Sequence, residues 1–351
     1  MTESLIGGEL MGTWQRESVG AASLADVMSE VDEQVAAGDT ARFRPLPLGF
    51  EPLDDVLNGG LRPGELMVVG GPFGVGKTIL ALQIARNVAA ASETDAALYI
   101  CYEHDRVHLM SRLLCLESAT MAEPQDQLTL RKLAEMAYGA AGQMGLISRL
   151  RRSRRYEALL NHVGTYAHRL TLAKASGDQT RLEQIRQWAQ LVAASGAQRV
   201  LVVVDYLQKI PVVAEHIPPG MEHITHLANG LKEIAMSLEL RILALAAADR
   251  QGLQASRMRF YDLEGTAAIQ YEADVGAVLN SKYDIVSREH MVYNPSQAQA
   301  MRNWVVLSIE KNRAGVNAVD MEFELDASHF HLHPVGQFVR ERLIDDKVVL
   351  A

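Results

Sequence analysis

The sequence predicts an α/β fold in which helices flank a mainly parallel central β-sheet. Short apolar runs of strand length recur along the chain, for example at 66–70, 200–204 and 241–246. Longer segments with apolar residues at helical spacing separate these runs. The first run also leads directly through a glycine-rich turn into a predicted helix. Strands that alternate with helices in this way build a parallel sheet, because each helix carries the chain back across the sheet.

The glycine-rich turn has the pattern of a phosphate-binding loop. Residues 71–78 read GPFGVGKT, which satisfies G-x-x-x-x-G-K-[ST]. Glycine lets backbone N–H groups turn towards a phosphate, and the positive end of the helix at 77–91 would face the same group. Lys77 is suited to contact the β- and γ-phosphates, and the Thr78 hydroxyl is suited to ligate Mg²⁺. We therefore predict a nucleotide site that comprises Gly71, Pro72, Phe73, Gly74, Val75, Gly76, Lys77 and Thr78.

Composition and charge limit the classes of function. The chain has 351 residues, of which 48% are hydrophobic, so it can bury a full core. Its net charge of -9 opposes non-specific attraction to nucleic acid, so DNA binding would need a local basic patch. No apolar run approaches the ~20 residues of a membrane span, and the first residues lack a secretory pattern. We therefore expect a cytoplasmic protein without a membrane partner. Cys101 and Cys115 are too few for a disulfide framework or a zinc site, and we interpret them as packing residues.

A lone helix is predicted at 23–37, separated from the sheet by a loop. Ser23 and Asp26 have the pattern of a capping box, and Gly38 supplies a stop. From its own pattern, this helix either folds back on its domain or docks on a neighbouring subunit. Its apolar stripe consists of Leu24, Val27, Met28, Val31 and Val35.

The remaining elements follow from local spacing and turn residues. A short helix at 52–57 and the turn at Pro63-Gly64 precede the first strand. Further helices are predicted around 109–114, 156–166, 182–192 and 224–238. Later strands are predicted at 97–102, 169–173, 200–204, 241–246, 274–280, 304–309 and 319–325, and the last is expected to close the sheet edge.

Two carboxylates directly follow predicted strands. Glu103 follows the strand at 97–102, and Asp205 follows the run VLVVV at 200–204. Ligands of open parallel sheets bind at the carboxyl ends of the strands. Asp205 is therefore a candidate to hold Mg²⁺ through water, although a strand-end aspartate also caps ordinary turns. Glu103 is a candidate to position or deprotonate an attacking water, and a solvated surface glutamate fits the sequence nearly as well.

Four stretches carry a resemblance to a known family. YEHDRVHLMSRLL, VVVDYLQKI, DLEGTAAIQYEAD and IEKNRAG resemble motifs in the ATPase domain of DnaB-type replicative hexameric helicases, a RecA-like branch of the P-loop proteins. The resemblance covers roughly residues 22–335. It implies a RecA-like fold, ATP hydrolysis with Mg²⁺, a hexameric ring of identical subunits, single-stranded DNA as a partner, and further replication or repair proteins. The helix at 23–37 resembles the linker helix of that family, which favours docking on the adjacent subunit.

The same resemblance implies roles for individual residues. Glu103 would be the catalytic glutamate, and Asp205 would be the magnesium-associated aspartate. Lys311 and Arg313, from EKNRAG, would reach across the subunit interface to the γ-phosphate of the neighbour's nucleotide. We expect an N-terminal arm with the linker helix at 1–45, a RecA-like ATPase domain at 46–340 and a C-terminal tail at 341–351.

The sequence departs from the family pattern in three places. Ala247 stands where the family usually has a glutamine that senses the nucleotide and links it to DNA. Alanine cannot hydrogen-bond a phosphate, so the coupling of hydrolysis to strand movement is in doubt. The stretch at 262–266 lacks the arginine of the family motif. Since only about forty residues precede the predicted core, we also expect no counterpart of the family's globular N-terminal domain. We therefore expect a divergent relative.

The loops at 209–224 and 250–261 correspond to those with which the family grips DNA. Lys209 in the first loop and Arg250, Arg257 and Arg259 in the second are the candidate DNA contacts, with Phe260 and Tyr261 nearby for stacking. The arginine run at 149–155 spreads over more than one helix face, which favours a solvated or subunit-pairing surface.

Two functions fit these patterns. The first is an ATP-driven helicase motor on single-stranded DNA. The alternative is a RecA-like ATPase that does not unwind, such as a recombination or repair factor of the RadA kind or a nucleotide-gated assembly switch of the KaiC kind.

Overall fold

One β-sheet organises the part of the chain that the computed structural model describes. These residues are 20–139, 142, 144–213, 215, 217, 222–250, 252–286 and 299–344. The start of the predicted N-terminal arm and most of the predicted C-terminal tail lie outside them. The strands, in chain order, are β1 (Leu66–Gly70), β2 (Asp95–Cys101), β3 (Leu170–Lys174), β4 (Arg199–Asp205), β5 (Arg241–Leu245), β6 (Val275–Ser281), β7 (Trp304–Asn312), β8 (Val319–Asp326), β9 (His331–Leu332) and β10 (Gln337–Phe338).

The sheet is mainly parallel, as predicted. Its order is β10-β8-β7-β6-β1-β5-β4-β2-β3, with β9 paired to β8. The six strands from β6 to β3 pair in parallel, whereas β7, β8 and β10 are antiparallel additions. The prediction that the strand at 319–325 closes the sheet is wrong, because Gln337 and Phe338 pair outside it.

Helices cover both faces of the sheet. Along β1, Met67 and Val69 join the core on one face, and Leu66 and Val68 join the core on the other. Burial on both faces explains why this strand and β4 read as unbroken apolar runs. The helices are α1 (Leu24–Ala36), α2 (Leu53–Val56), α3 (Lys77–Ala91), α4 (Arg106–Met121), α5 (Leu130–Tyr138), α6 (Leu146–Arg152), α7 (Arg154–Tyr166), α8 (Leu182–Ala193), α9 (His223–Ser237), α10 (Thr266–Glu272) and α11 (Lys282–Ile285).

α3 and α8 lie on opposite faces of the sheet. Residues of α3 belong to the core with Met67, and residues of α8 and α9 belong to the core with Leu66. A third apolar cluster joins α4 to the helices α5, α6 and α7. Both cysteines are free and buried, which confirms their interpretation as packing residues. None of the described helices combines the length and apolarity that crossing a bilayer would require.

α1 has the predicted capping box but no contact that buries it. The Ser23 hydroxyl accepts from Asp26 N at 3.2 Å, and the Asp26 carboxylate accepts from Ser23 N at 3.2 Å. No residue of α1 is buried, and Leu24 and Met28 are 76% and 62% exposed. The described part of the domain therefore leaves most of this apolar stripe uncovered.

Candidate functional site

The predicted phosphate-binding loop lies at the carboxyl end of β1, near the middle of the sheet. The strand ends at Gly70, and α3 begins at Lys77. A Cβ at Gly71 would lie 2.3 Å from the carbonyl oxygen of Leu279, so the loop can pass only without a side chain. Gly76 has φ of 105°, a conformation that favours glycine. The loop therefore turns tightly into the N-terminus of a helix, which is the geometry of an anion site.

Lys77 lies over this loop. Its Nζ donates to the carbonyl oxygens of Gly71 at 2.6 Å and Pro72 at 2.7 Å. Burial lowers the pKa of Lys77 to about 8, while the charges of Asp205 and Glu103 act in the opposite direction. Both carboxylates are thus close enough to Lys77 to influence its charge.

Asp205 is the buried carboxylate of the site. It ends β4 and is 2% exposed. The Tyr99 hydroxyl donates to its Oδ2 at 2.7 Å, and the Thr78 hydroxyl also hydrogen-bonds to it. Burial raises the pKa of Asp205, and these two hydrogen bonds act against that rise. The hydroxyl of Thr78 and the carboxylate of Asp205 therefore lie together.

A cavity of about 280 Å³ brings the predicted residues together. Gly71, Phe73, Gly74, Gly76, Lys77 and Thr78 line it from the loop and α3, and Glu103 and Asp205 line it from the ends of β2 and β4. Glu103 is exposed, so its carboxylate is accessible to water and to a ligand. The structure thus places both predicted carboxylates on the same side of the sheet as Lys77.

Sequence reasoning missed several cavity residues, among them His104, Arg112 and Phe330. Nη2 of Arg112 lies 3.2 Å from Nε2 of His104, and its guanidinium lies over the Phe330 ring at 4.9 Å. Nε of Arg112 is buried without a hydrogen-bond partner among the described residues. Burial lowers the pKa of His104, and the Arg112 charge lowers it further. His108 and Arg112 lie four residues apart on one face of the helix after Glu103, but this spacing alone does not show that the face points to the cavity.

Lys311 and Arg313 lie at the opposite edge of the sheet from the cavity. Lys311 pairs with Gly276 near the start of β6, whereas Lys77 follows the end of β1, its parallel neighbour. A five-residue strand separates these edges by roughly 15 Å. Nη1 of Arg313 donates to Asp274 at 3.1 Å, and Nζ of Lys311 donates to the carbonyl oxygen of Gln270. Neither cation can therefore serve the cavity of its own chain in this conformation.

Two of the four candidate DNA contacts are held inside the protein. Arg257 is 5% exposed and pairs with Asp320 at 2.5 Å. It is therefore an internal ion-pair residue, which corrects the expectation that it faces DNA. Arg259 is largely buried against Glu310 at 3.2 Å, so its predicted DNA contact is not supported either. Phe260 is 3% exposed and packs on Gly276, so it cannot stack on a base.

Lys209 and Arg250 keep the exposure that a DNA contact needs. Lys209 ends the turn Leu207–Lys209 after β4, and its Nζ lies 5.7 Å from the centre of the Tyr206 ring. Arg250 lies in the turn after β5. The cationic surface offered by the described parts of the two loops is thus smaller than the sequence suggested.

Comparison with known proteins places the chain in a family. Residues 45–332 match the family described as "DnaB-like helicase C terminal domain". The chain belongs to this family. It is 26% identical to "Replicative DNA helicase DnaB" of Geobacillus stearothermophilus over 237 residues, which are 67% of this chain and 46% of that protein. It is 27% identical to the protein of the same name from Treponema pallidum over 285 residues, which are 80% of this chain and 55% of that protein. The chain thus spans about half the length of these DnaB relatives.

The chain is also similar to a repair protein and to two solved structures. "DNA repair protein RadA" of Mycobacterium tuberculosis is 29% identical over 222 residues, which are 61% of this chain and 40% of that protein. Among solved structures, one described as an "ATPase Domain" has a TM-score of 0.67 and 19% identity and covers 89% of this chain and 99% of that chain. "The Structure Of A DnaB-Like Replicative Helicase And Its Interactions With Primase" has a TM-score of 0.63 and 18% identity, with 89% and 67% covered. These structures confirm the RecA-like α/β fold.

Proposed function

We propose that this chain is the ATP-hydrolysing motor of a DnaB-like DNA helicase, which acts on single-stranded DNA as a ring of identical subunits, a hexamer. One observation carries the proposal. In a chain of the DnaB-like family, Lys77, Thr78, Glu103 and Asp205 line a single cavity at the carboxyl edge of the sheet. A lysine, a hydroxyl and two carboxylates around a glycine loop are the groups that phosphoryl transfer requires.

The chain's own groups would divide the work of hydrolysis. The loop amides and Lys77 would hold the β- and γ-phosphates of ATP, and Glu103 would orient the attacking water. The Thr78 hydroxyl and the Asp205 carboxylate would hold Mg²⁺, since hard oxygen donors suit this ion and its remaining ligands come from phosphate and water. The bound ion would neutralise phosphate charge.

The distance of Lys311 and Arg313 from the cavity supports action between subunits. In a ring, each interface would join the cavity of one subunit to the strand end 311–313 of the next. Two cations supplied in this way would stabilise the transferring phosphoryl group only in the assembled protein. Arg313 is half exposed, and Asp274 keeps its ion pair with Lys232 at 2.6 Å, so the departure of Arg313 would not leave Asp274 without a partner.

The exposed stripe of α1 supports docking between subunits. An amphipathic helix gains its stability mainly by burying its apolar face, and none of the residues of α1 is buried in the part of the chain that the structure describes. The neighbouring subunit would supply the missing surface. This docking would add a second contact between subunits to the one at the nucleotide.

DNA would meet the loops that follow β4 and β5. Lys209 and Arg250 are the exposed cations that we assign to the phosphate backbone. Work on replicating DNA would require access to the chromosome, so the proposal includes a cytoplasmic location. It also includes replication or repair proteins as partners, because one solved relative is titled for its interactions with primase.

ATP hydrolysis with and without single-stranded DNA tests the proposal. We expect the steady-state rate to rise several-fold with an oligonucleotide and a labelled fork to be unwound, with Lys77→Ala inactive in both assays. Any ATP hydrolysis that remains with Lys77→Ala comes from contaminating enzymes, because this variant lacks the cation of the phosphate-binding loop. A rate that ignores DNA, together with an intact fork, would instead favour a RecA-like ATPase that does not unwind.

A further inference from the structure

Both loops assigned to DNA leave the sheet beside one glutamine. Gln208 lies three residues after Asp205, in the turn Leu207–Lys209, directly before Lys209. Ala247 lies two residues after the end of β5 and lines the nucleotide cavity. Oε1 of Gln208 accepts from Ala247 N at 3.0 Å, and its Nε2 donates to the carbonyl oxygen of Ala247 at 3.4 Å. The side chain thus joins the first loop to the start of the second.

The second loop is closed at its base by a short ladder of backbone hydrogen bonds. Glu264 N donates to the carbonyl oxygen of Ala247 at 3.1 Å, and Asp249 N donates to that of Asp262 at 2.9 Å. Ala248 and Leu263 form an antiparallel bridge between these two bonds. Nε2 of Gln208 also donates to the carbonyl oxygen of Glu264 at 3.4 Å. Gln208 therefore contacts both sides of the base of the loop at 250–261.

We propose that Gln208 is the positioning residue that couples the nucleotide cavity to both DNA loops. Ala247 has only a methyl group, so its side chain cannot carry a hydrogen-bonded link between the cavity and the loops. The amide of Gln208 makes a link at the same point from the neighbouring strand, because it offers an acceptor to Ala247 N and donors to two carbonyl oxygens. A displacement of the end of β5 on nucleotide binding would then move Glu264 and Lys209 together.

This inference rests on the proposed function and deepens it, since it concerns how the same site is regulated. It has a consequence that can be measured without DNA. If Gln208 transmits the state of the cavity, the amides at the base of the second loop should respond to the nucleotide only while this side chain is present. Coupling between sites commonly amounts to about 5- to 150-fold in affinity, so its loss is large enough to detect.

Hydrogen exchange of the amides at Ala247 and at 262–264 tests the role of Gln208. The exchange rates are compared with ATPγS and with ADP bound, in the wild type and in Gln208→Met. Methionine keeps a similar length and volume but cannot form these hydrogen bonds. We expect the rates with the two nucleotides to differ in the wild type, and we expect this difference to fall about tenfold in Gln208→Met. Gln208→Glu keeps the acceptor for Ala247 N but loses the donors, so it should retain part of the difference.

Two controls separate coupling from a merely structural role. Gln187→Met replaces an exposed glutamine of α8 and should leave the exchange pattern as in the wild type. A structural role for Gln208 would raise exchange equally with both nucleotides and leave their difference intact, which would overturn the inference. A wild type without any difference between the nucleotides would also overturn it. A different measurement tests the motor proposal: it fails if the wild-type protein binds no single-stranded DNA.

Discussion

Burial sets the charge of the residues in the nucleotide cavity. Lys77 has its pKa lowered to about 8, whereas the pKa of Asp205 is raised, and both shifts have burial as the largest cause. Each charge is thus less stable in the free protein than in water. A bound triphosphate would favour the charged form of Lys77, and a bound cation would favour the ionised form of Asp205. Burial therefore destabilises the charged forms of both residues in the free protein, and a ligand of opposite charge would remove part of this penalty.

The shifted pKa of Lys77 predicts how ATP affinity depends on pH. A bound triphosphate favours the charged form and raises the pKa of Lys77 above about 8, so the complex holds more protons than the free protein as pH rises beyond that value. Affinity should therefore fall above about pH 8, by up to about tenfold per pH unit, and binding at pH 8.5 should take up protons. Calorimetric titration in two buffers of different ionisation enthalpy measures both effects. Equal affinity at pH 7 and pH 9 would contradict this assignment.

Arg112 gives a second prediction for the cavity. Its guanidinium shares the cavity wall with Glu103, so we expect it to contact the terminal phosphate of ATP. Hydrogen bonds to charged groups are worth about 1.5–3 kcal/mol, so Arg112→Met should weaken ATPγS binding by at least about tenfold and ADP binding much less. Fluorescence titration of both nucleotides measures the two constants. Arg106→Met, at the exposed start of the same helix, is the matched control. Equal losses for ATPγS and ADP would show that Arg112 acts only through folding.

The sequence allowed the central residues to be predicted but not their surroundings. Lys77 and Thr78 belong to a contiguous motif, and Asp205 ends an unbroken apolar run, so local patterns were enough. Arg257 was misplaced because its partner, Asp320, lies 63 residues away along the chain. The pairing of β7 and β8 places Asp320 opposite Ser308, and the loop that carries Arg257 packs against both residues. The local sequence around an arginine does not indicate a partner that is so distant along the chain. Phe330 was missed for the same reason, since it reaches the cavity by tertiary packing.

At the scale of whole elements, the strands were the easiest features to predict. β1 and β4 are buried on both faces, so their apolar runs are continuous and unambiguous. β10 was missed because two exposed residues, Gln337 and Phe338, carry no periodic pattern. The capping box predicted the first residue of α1 correctly. The pattern within a helix, however, cannot identify the surface against which the helix packs.

The exposed stripe of α1 predicts that assembly can be disrupted without unfolding the domain. Leu24 and Met28 lie four residues apart on the same face and are both exposed, so Leu24→Asp with Met28→Asp removes no buried contact within the chain. We expect the oligomer to dissociate at micromolar concentration and ATP hydrolysis to fall with it. Light scattering gives the mass, and thermal unfolding should shift by no more than about 2 °C.

Glu33→Gln provides the control for this experiment, because Glu33 lies on the opposite face of α1 from Leu24. It should leave both the mass and the ATPase rate as in the wild type. A monomeric wild type, or a double variant that keeps its mass, would show that α1 does not join subunits.

At the scale of the whole molecule, the sheet separates two sets of residues that we propose act in one chemical site. The cavity lies at the carboxyl edge of the parallel strands, and Lys311 and Arg313 lie at the amino edge. If both sets are needed, as we propose, a single chain cannot complete its own site. Identical subunits arranged head to tail in a closed ring can complete every site, because each then presents both edges to its neighbours.

This arrangement predicts that two inactive variants complement each other. Lys77→Ala removes a cation from the cavity, and Arg313→Ala removes the cation given to the neighbour, so each ring alone should hydrolyse ATP at a background rate. In an equal mixture with free subunit exchange, about a quarter of the interfaces join an intact cavity to an intact Arg313. The mixture should therefore recover up to about a quarter of the wild-type rate, whereas ATP binding by Arg313→Ala alone should stay close to normal. A mixture no faster than its components, or an active Arg313→Ala ring, would mean that each subunit completes its site by other residues.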